Sequence, residues 1–239
     1  MSSATNSSFI FKDMTMRSNN YFTLRALAVA AILAGSGQAK ADLTFFNNQA
    51  AYMAAISAPG VDNFEDLPWA VIGQSVNRQA GEHYYSAWAV EESGNYTDLY
   101  TSGSSADQWL STDRAADYLT FGYFSEKVNG AGGFFFGSDE MGNFKAGQTI
   151  RINAIDADGV EQIKIVENAT PGSFYGFVSS SHLEYFQVSA VQPNGDYTWV
   201  AGNDLALGTI AAAVPEPASY ALLLAGLGLL GAVAQRKRA

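Results

Sequence analysis

Carboxyl groups are the side chains in this sequence best suited to proton transfer. Hydrolysis of a glycosidic bond needs two of them, one on each side of the scissile linkage. The candidates for such a pair are Glu65, Glu91, Glu92, Asp139 and Glu140. Because the stretch Asp42–Val214 holds 21 Asp and Glu residues, a suitable pair arises easily by chance, and the pattern favours no particular one.

Nucleophilic catalysis has little support. The stretch Ser179–His182 puts hydroxyls beside an imidazole, but adjacency in sequence does not give the geometry of a triad, and a hairpin turn is favoured. Neither a Gly-x-Ser-x-Gly elbow nor a His-Glu-x-x-His sequence occurs. The sequence has no cysteine, and His83 and His182 are its two histidines, so zinc is disfavoured. We expect both histidines at the surface and predict no catalytic residue.

Hard oxygen ligands are numerous enough to raise the question of calcium. The stretch Asp156–Gly159 imitates the start of a calcium-binding loop, but Val160 and Glu161 stand where that loop needs a ligand and a glycine. A β-turn is therefore favoured at this position.

A second group of oxygen ligands is a better candidate for calcium. Glu65 and Asp66 follow the first predicted strands, and Asn203 and Asp204 precede the last one. In a jelly roll such ends are often neighbours, and carboxylate and amide oxygens suit calcium. The sequence thus predicts a calcium site formed by these four residues, with solvated turn residues as the alternative.

Aromatic rings offer a different chemistry, because sugars stack on exposed rings through their apolar C–H faces. The indoles are Trp69, Trp88, Trp109 and Trp199. Core packing is the usual fate of each. Trp109 lies in a polar stretch between Gln108 and Ser111, so we predict it as the carbohydrate-stacking residue.

The elements that must position these residues are mostly strands. A short helix is predicted over Asn47–Ser57, capped by Asn47 or Asn48 and ended by Pro59-Gly60. From Tyr118 onward the hydrophobic period is that of strands. The predicted strands are Val61–Glu65, His83–Val90, Tyr96–Thr101, Tyr118–Phe124, Gly133–Gly137, Gln148–Ile155, Gln162–Glu167, Phe174–Ser179, Leu183–Val191, Tyr197–Ala201 and Leu205–Ile210, with Gly130–Gly133 as a turn. This spacing predicts an antiparallel, jelly-roll-like β-sandwich.

Charge limits the possible partners. Between Asp42 and Val214, 6 Lys and Arg stand against 21 Asp and Glu, a net charge of −15. Such a field repels nucleic acid and anionic lipid, so DNA and RNA binding are excluded. With no cysteine, the body must be held by its core, aided by calcium if that site exists.

The C-terminal residues form three parts in a fixed order. The sequence Pro215-Glu216-Pro217 is stiff and extended, because each proline fixes φ and keeps the preceding residue out of the helical region. The next 17 residues, Ala218–Ala234, carry no charge and are just long enough for a membrane helix. The cluster Arg236, Lys237 and Arg238 then stays cytoplasmic.

This order of parts resembles the PEP-CTERM sorting signal of Gram-negative bacteria. The resemblance implies that exosortase, a membrane-embedded cysteine protease or transpeptidase, cleaves at or near Pro215-Glu216-Pro217. It also implies an association with exopolysaccharide and biofilm. A plain tail anchor, in which the prolines only end a helix, is the alternative.

The N-terminal segment is predicted to be a secretory signal peptide. Arg17 and Arg25 supply positive charge, Ala26–Leu33 is apolar, and Ala39-Lys40-Ala41 is a small-residue cleavage site. Signal peptidase would then produce a mature protein that begins at Asp42, whether synthesis starts at Met1 or Met16.

The sequence therefore predicts a leader and signal peptide at 1–41, an extracellular β-sandwich at 42–212 and a sorting signal at 213–239. We expect a non-enzymatic protein that is held transiently in the inner membrane and then reaches the cell surface or matrix, where it associates with polysaccharide. A polysaccharide-acting enzyme and a purely structural surface protein are the alternatives. The predicted partners are exosortase, the secretion machinery, the inner membrane and polysaccharide.

Overall fold

A computed structural model describes residues 42–104, 107–125, 127–193, 196–211, 223–227 and 235–236. The signal peptide, with Ala39 and Ala41, lies outside these residues. So do Pro215, Glu216, Pro217, Lys237, Arg238 and most of the predicted span Ala218–Ala234. Within that span, residues 223–227 are helical. In the part of the chain that the structure describes, no helix is long and apolar enough to cross a membrane.

One short helix, α1 (Gln49–Ala55), lies near the start of the described chain. The side chain of Asn48 accepts a hydrogen bond from the backbone N–H of Ala51, at 2.9 Å. A capping side chain of this kind satisfies a donor that the first helical turn leaves free. The predicted helix and its cap at Asn48 are confirmed.

Strands make up most of the body. They are β1 Leu43–Phe46, β2 Ile56–Asp62, β3 Val71–Gly73, β4 Ser75–Ala80, β5 His83–Val90, β6 Tyr96–Thr97, β7 Leu99–Ser104, β8 Asp107–Thr112, β9 Tyr118–Gly122, β10 Gly130–Ser138, β11 Ile150–Asp156, β12 Glu161–Val166, β13 Phe174–Ser179, β14 Leu183–Ala190 and β15 Trp199–Ile210.

The strands form two antiparallel sheets. The first has the order β1-β13-β10-β15-β8-β7-β3, with β2 also paired to β15, and the second has the order β12-β11-β14-β9-β5-β4, with β6 paired to β5. The predicted fold class, a mainly β, antiparallel and jelly-roll-like sandwich, is confirmed.

Phenylalanine rings fill the space between the sheets. Phe135 of the first sheet lies 5.2 Å from Phe186 and 6.1 Å from Phe121 of the second sheet, measured between ring centroids. All three side chains are buried. A second cluster lies under α1, where the hydroxyl of Tyr52 donates a hydrogen bond to the carbonyl of Ala206 at 2.8 Å. Burial raises the pKa of Tyr52, so its phenol stays a neutral donor.

Three breaks between elements, predicted at proline, glycine and asparagine, are wrong. Pro59 and Gly60 lie inside β2, and Gly130–Gly133 forms the first half of β10. A Cβ on Gly132 would stand 2.9 Å from the Cα of Gly176 in the neighbouring strand. Glycine is therefore used here for close packing between strands and not for a turn.

The third wrong break is at Asn203 and Asp204. These residues lie within the single long strand β15, where the prediction placed a break between two strands. The register between β10 and β15 shifts at this point, and Asp204 has a φ of 51°. The polar pair thus marks a bulge, in which an aspartate tolerates the left-handed conformation.

Candidate functional site

Trp88 lies on the outer face of the second sheet. Along β5 the residues alternate, with Tyr85, Ala87 and Ala89 buried in the core and Ser86 and Trp88 on the other face. The indole lies directly against the neighbouring strand β9, because a Cβ on Gly122 would stand only 2.7 Å from Cη2 of Trp88. Glycine at position 122 therefore makes the room that the indole occupies.

Tyr123 follows Gly122 and contacts the same indole. Its ring centroid lies 5.3 Å from that of Trp88, with the two planes tilted by 43°. The side chain is 76% exposed, and the backbone φ is 48°. Bulky residues rarely adopt a positive φ, and such strain concentrates at functional sites. The chain thus holds a large aromatic ring in solvent at a cost in backbone energy.

Two clefts open on either side of this aromatic pair. The β14 cleft, of about 310 Å³, extends from the pair over the start of β14. The β4 cleft, of about 280 Å³, extends from the pair toward β4 and β6. Both clefts are lined by Trp88 and Tyr123. The β14 cleft is also lined by Phe124, His182, Leu183, Glu184 and Tyr185, and the β4 cleft by Gln74, Ser75, Ser86 and Tyr96. We call this whole area the Trp88–Tyr123 surface.

A row of polar side chains continues the face beside Trp88. Thr120 is the register partner of Trp88 on β9, and Gln187 is the partner of Thr120 on β14. The amide of Gln187 donates to the hydroxyl of Thr120 at 3.0 Å. Farther along the row, the amide of Asn153 donates to Glu161 at 2.9 Å. Thr120 and Asn153 are buried, so these hydrogen bonds hold the sheet face next to Trp88 in place.

Tyr185 adds a polar tip to the β14 cleft. Burial raises the pKa of Tyr185, and the negative charges of Glu161 and Glu184 raise it further. The phenol therefore stays protonated at neutral pH and keeps its donor hydrogen. The surface thus combines two aromatic rings, in contact with each other, with hydroxyl and amide groups and with the carboxylate of Glu184.

Trp109, the predicted stacking residue, is half-buried on the first sheet. Its ring meets Phe136 edge-on, with centroids 5.3 Å apart, and its Nε1 donates to the carbonyl of Gly142 at 3.1 Å. A sugar-stacking role for Trp109 stays a prediction, while Trp88 is the indole that lies between two clefts. The sequence signal for Trp88 was its place on the outward-facing side of the alternating strand β5. Nothing in the sequence marked the backbone conformation of Tyr123.

The predicted calcium residues are brought together only in part. Asp66 forms an ion pair with Arg78 at 2.6 Å, and Glu65 accepts a hydrogen bond from the backbone N–H of Gln108. Asn203 donates to Asp107 at 2.7 Å. Among the described residues, no group of three or more His, Asp or Glu side chains is arranged to hold a metal ion. Calcium binding stays a prediction that melts with calcium and with chelator would test.

Asp204 gives rise to a prediction about stability and pH. Burial raises its pKa, and the charges of Asp107 and Glu65 raise it further. A raised pKa means that the folded state binds the proton more tightly than the unfolded state. The stabilisation that protonated Asp204 contributes is therefore present at low pH and is lost as pH rises through the folded pKa. We expect Asp204→Asn to raise Tm at neutral pH and to change it little in acid, because asparagine also tolerates the positive φ.

The control for this prediction is Asp158→Asn in the exposed turn after β11. It removes the same charge from the body at an exposed position, whereas Asp204 is half-buried. Thermal melts in chelator across the acid to neutral range compare the two. Equal Tm values for Asp204→Asn and wild type at neutral pH would contradict the prediction.

Of the two histidines, one lies where the sequence predicts. His182 is exposed as expected. His83 is buried, with its Nε2 2.8 Å from the carbonyl oxygen of Ala58, so its predicted surface position is wrong. The hydroxyl of Ser179 donates to Asp156 at 2.6 Å. Asp156 also accepts from the backbone N–H of Val160, which confirms the predicted turn.

Comparison with known families identifies the C-terminal segment. Residues 213–238 match the model of the PEP-CTERM protein-sorting motif. The predicted sorting signal is thereby confirmed, and this motif implies export and sorting by exosortase. No curated protein matches the chain in sequence.

Two solved structures are similar to the body. TmCBM61 in complex with β-1,4-galactotriose is 13% identical, with 62% of this chain and 94% of that chain covered and a TM-score of 0.27. The CBM22-1–GH10 modules of the Clostridium thermocellum endo-1,4-β-D-xylanase 10B, complexed with xylohexaose, are 12% identical, with 66% and 29% covered and a TM-score of 0.27. Both likenesses are remote, and the fold assignment rests on the sheets described above.

Proposed function

We propose that this protein is an exported surface or matrix protein whose body binds polysaccharide on the Trp88–Tyr123 surface without cleaving it. The sorting signal would hold the precursor in the inner membrane until exosortase acts, and the body would then bind exopolysaccharide outside the cell. The observation that carries the proposal is the geometry of Tyr123. Its backbone has a strained, positive φ, and its exposed ring contacts Trp88 between the two clefts.

The chemistry of this surface suits sugars. Aromatic faces pack against the C–H faces of a sugar ring, and the flanking hydroxyl and amide groups exchange hydrogen bonds with its hydroxyls. Binding sites generally combine an apolar surface with a few placed polar groups in this way. Strands β5 and β14 of one sheet carry Trp88 and Tyr185, and Tyr123 directly follows β9 of the same sheet, so the sheet positions the aromatic groups.

Truncating either ring of the aromatic pair should weaken polysaccharide binding. We expect Trp88→Ala and Tyr123→Ala each to weaken binding by about tenfold or more, because each loses a stacking ring worth about 1.4 kcal/mol or more. The measurement is affinity electrophoresis of the mature protein in gels that contain neutral glucan, mannan or galactan. Folding is checked by the near-UV circular dichroism and the Tm of each variant.

Tyr84→Ala is the matched control, because Tyr84 is 61% exposed on the same strand and lines neither cleft. It should bind like wild type. Equal loss in all three variants, or no loss in any, would contradict the assignment of the surface.

An enzyme remains the second candidate because Asp113, Asp139 and Glu140 line a cleft of about 300 Å³ with Trp199 on the first sheet. A glycosidase needs one carboxyl group with a raised pKa to act as the acid. Burial alone would raise the pKa of Asp139, but hydrogen bonds from Asn143 and Met141 outweigh it and lower the pKa. Asp139 is therefore unsuited to donate a proton. Release of reducing sugar from the bound polysaccharide would favour the enzyme.

A further inference from the structure

The two clefts of the Trp88–Tyr123 surface share the lining residues Trp88 and Tyr123, and together they follow a path across the second sheet. The β14 cleft lies over the start of β14, and the β4 cleft reaches Ser75 on β4. Between them the sheet order is β14-β9-β5-β4. Three inter-strand spacings of about 4.8 Å make this path roughly 14 Å long, before the side chains at either end are counted.

Both ends of the path are at the surface. His182 and Glu184 are exposed at one end, and Gln74 and Ser75 are exposed at the other. A polymer can therefore enter at one end and leave at the other. A site for a chain terminus would instead need a buried wall that stops the chain.

The electrostatics of the path select against anions. Neither cleft is lined by lysine or arginine, and Glu184 places a carboxylate in the β14 cleft. The surrounding body carries a net charge of −15. A uronate or sulfate chain would meet repulsion here, whereas a neutral chain is not penalised.

We infer that the ligand is an uncharged polysaccharide, bound along its chain and across strands β14, β9, β5 and β4, with the Trp88–Tyr123 pair at the middle of the bound segment. This inference rests on the proposed function and specifies its ligand. Glu184 acts in it as a specificity-determining residue that rejects acidic chains.

Charge reversal tests the selection. Wild-type mature protein should bind at least one neutral glucan, mannan or galactan and should not bind alginate or polygalacturonate in the same gel system. Glu184→Lys should acquire binding to the acidic polymers, and the binding should weaken as salt rises. Glu167→Lys makes the same change of charge at an exposed position that lines neither cleft, and it should leave the acidic polymers unbound.

Chain length tests the path. Oligosaccharides of the neutral polymer, from disaccharide to octasaccharide, should bind more tightly with length and then reach a plateau, with a gain of about tenfold or more (1.4 kcal/mol) between disaccharide and hexasaccharide. Blocking the reducing end should not change the affinity. If the disaccharide binds in the β14 cleft, Tyr96→Ala should weaken binding of the hexasaccharide and leave binding of the disaccharide unchanged. If the disaccharide binds in the β4 cleft, Tyr185→Ala should have this effect instead.

The possible failures are distinguishable. Wild-type protein that binds no polysaccharide of either kind overturns the proposed function itself. Binding that prefers the acidic polymers, that needs a free chain end, or that is as tight for a disaccharide as for a hexasaccharide leaves the proposed function standing and overturns this inference.

Discussion

A variant with Pro215→Ala, Glu216→Ala and Pro217→Ala together is expected to accumulate as an uncleaved precursor in the inner membrane of a host that carries exosortase. The prolines keep the tripeptide extended, as a protease subsite requires, and they separate it from the helical span. Alanine would allow helix to continue through this position while Ala218–Ala234 still anchors the chain. Cell fractionation and immunoblotting of the precursor and mature forms measure the outcome.

The basic end provides the matching control. Replacing Arg236, Lys237 and Arg238 by glutamine leaves the tripeptide intact and should weaken retention in the membrane, because the positive charges oppose export of the C-terminus. The two variants should therefore fail in different ways. A tripeptide variant that is processed and released like wild type would show that the segment is only an anchor.

Arg78→Leu is expected to cost the body about 3–5 kcal/mol of stability, because it leaves a buried carboxylate without its counter-ion. The guanidinium of Arg78 binds Asp62 at 2.5 Å, and the side chain of Asp62 is only 4% exposed. The hydroxyl of Tyr85 also donates to Asp62 at 2.7 Å. This cluster ties the end of β2 in the first sheet to β4 and β5 in the second.

Urea unfolding followed by tryptophan fluorescence measures the loss. Arg114→Leu is the control, because Arg114 is 62% exposed and its contact with Glu91 is 3.6 Å long. Exposed pairs contribute about 0–1 kcal/mol, so the control should unfold close to wild type. Adding Asp62→Asn to Arg78→Leu should recover part of the stability, since this cluster then holds no buried charge. Equal midpoints for the two single variants would contradict the account.

Much of the fold follows from the hydrophobic period of the sequence. The predicted strands His83–Val90 and Phe174–Ser179 have the bounds seen in the structure. In β5 the alternation of buried and outward residues is complete, which is why period and structure agree there. The strands β4 and β8 were missed, because their polar residues hide the alternation.

The errors in the fold have a common physical origin. Because glycine and proline break most elements, the sequence predicts a helix end at Pro59-Gly60 and a turn at Gly130–Gly133. In the structure they lie in strands, and a Cβ on Gly60 would stand 2.0 Å from the carbonyl oxygen of Ala80. Close approach between backbones is a property of the tertiary structure, which local sequence does not record.

The candidate site was harder to predict than the fold. A polar neighbourhood favours Trp109, but its ring packs against Phe136 and its Nε1 donates to the carbonyl of Gly142. The clefts beside Trp88 depend on Gly122 and on the backbone conformation of Tyr123, and both act through the neighbouring strand β9. Sequence identifies the aromatic residues, but only the pairing of strands decides which of them share a surface.

The most direct test of polysaccharide binding at the Trp88–Tyr123 surface is an NMR titration of the mature protein with a neutral hexasaccharide. The indole Nε1–H groups of Trp69, Trp88, Trp109 and Trp199 give four separate reporters. We predict that the Trp88 resonance shifts in proportion to occupancy, while those of Trp109 and Trp199, whose Nε1 groups donate to backbone carbonyls, stay in place. A shift confined to Trp109, or to Trp199 in the cleft that Asp113, Asp139 and Glu140 line, would contradict the account.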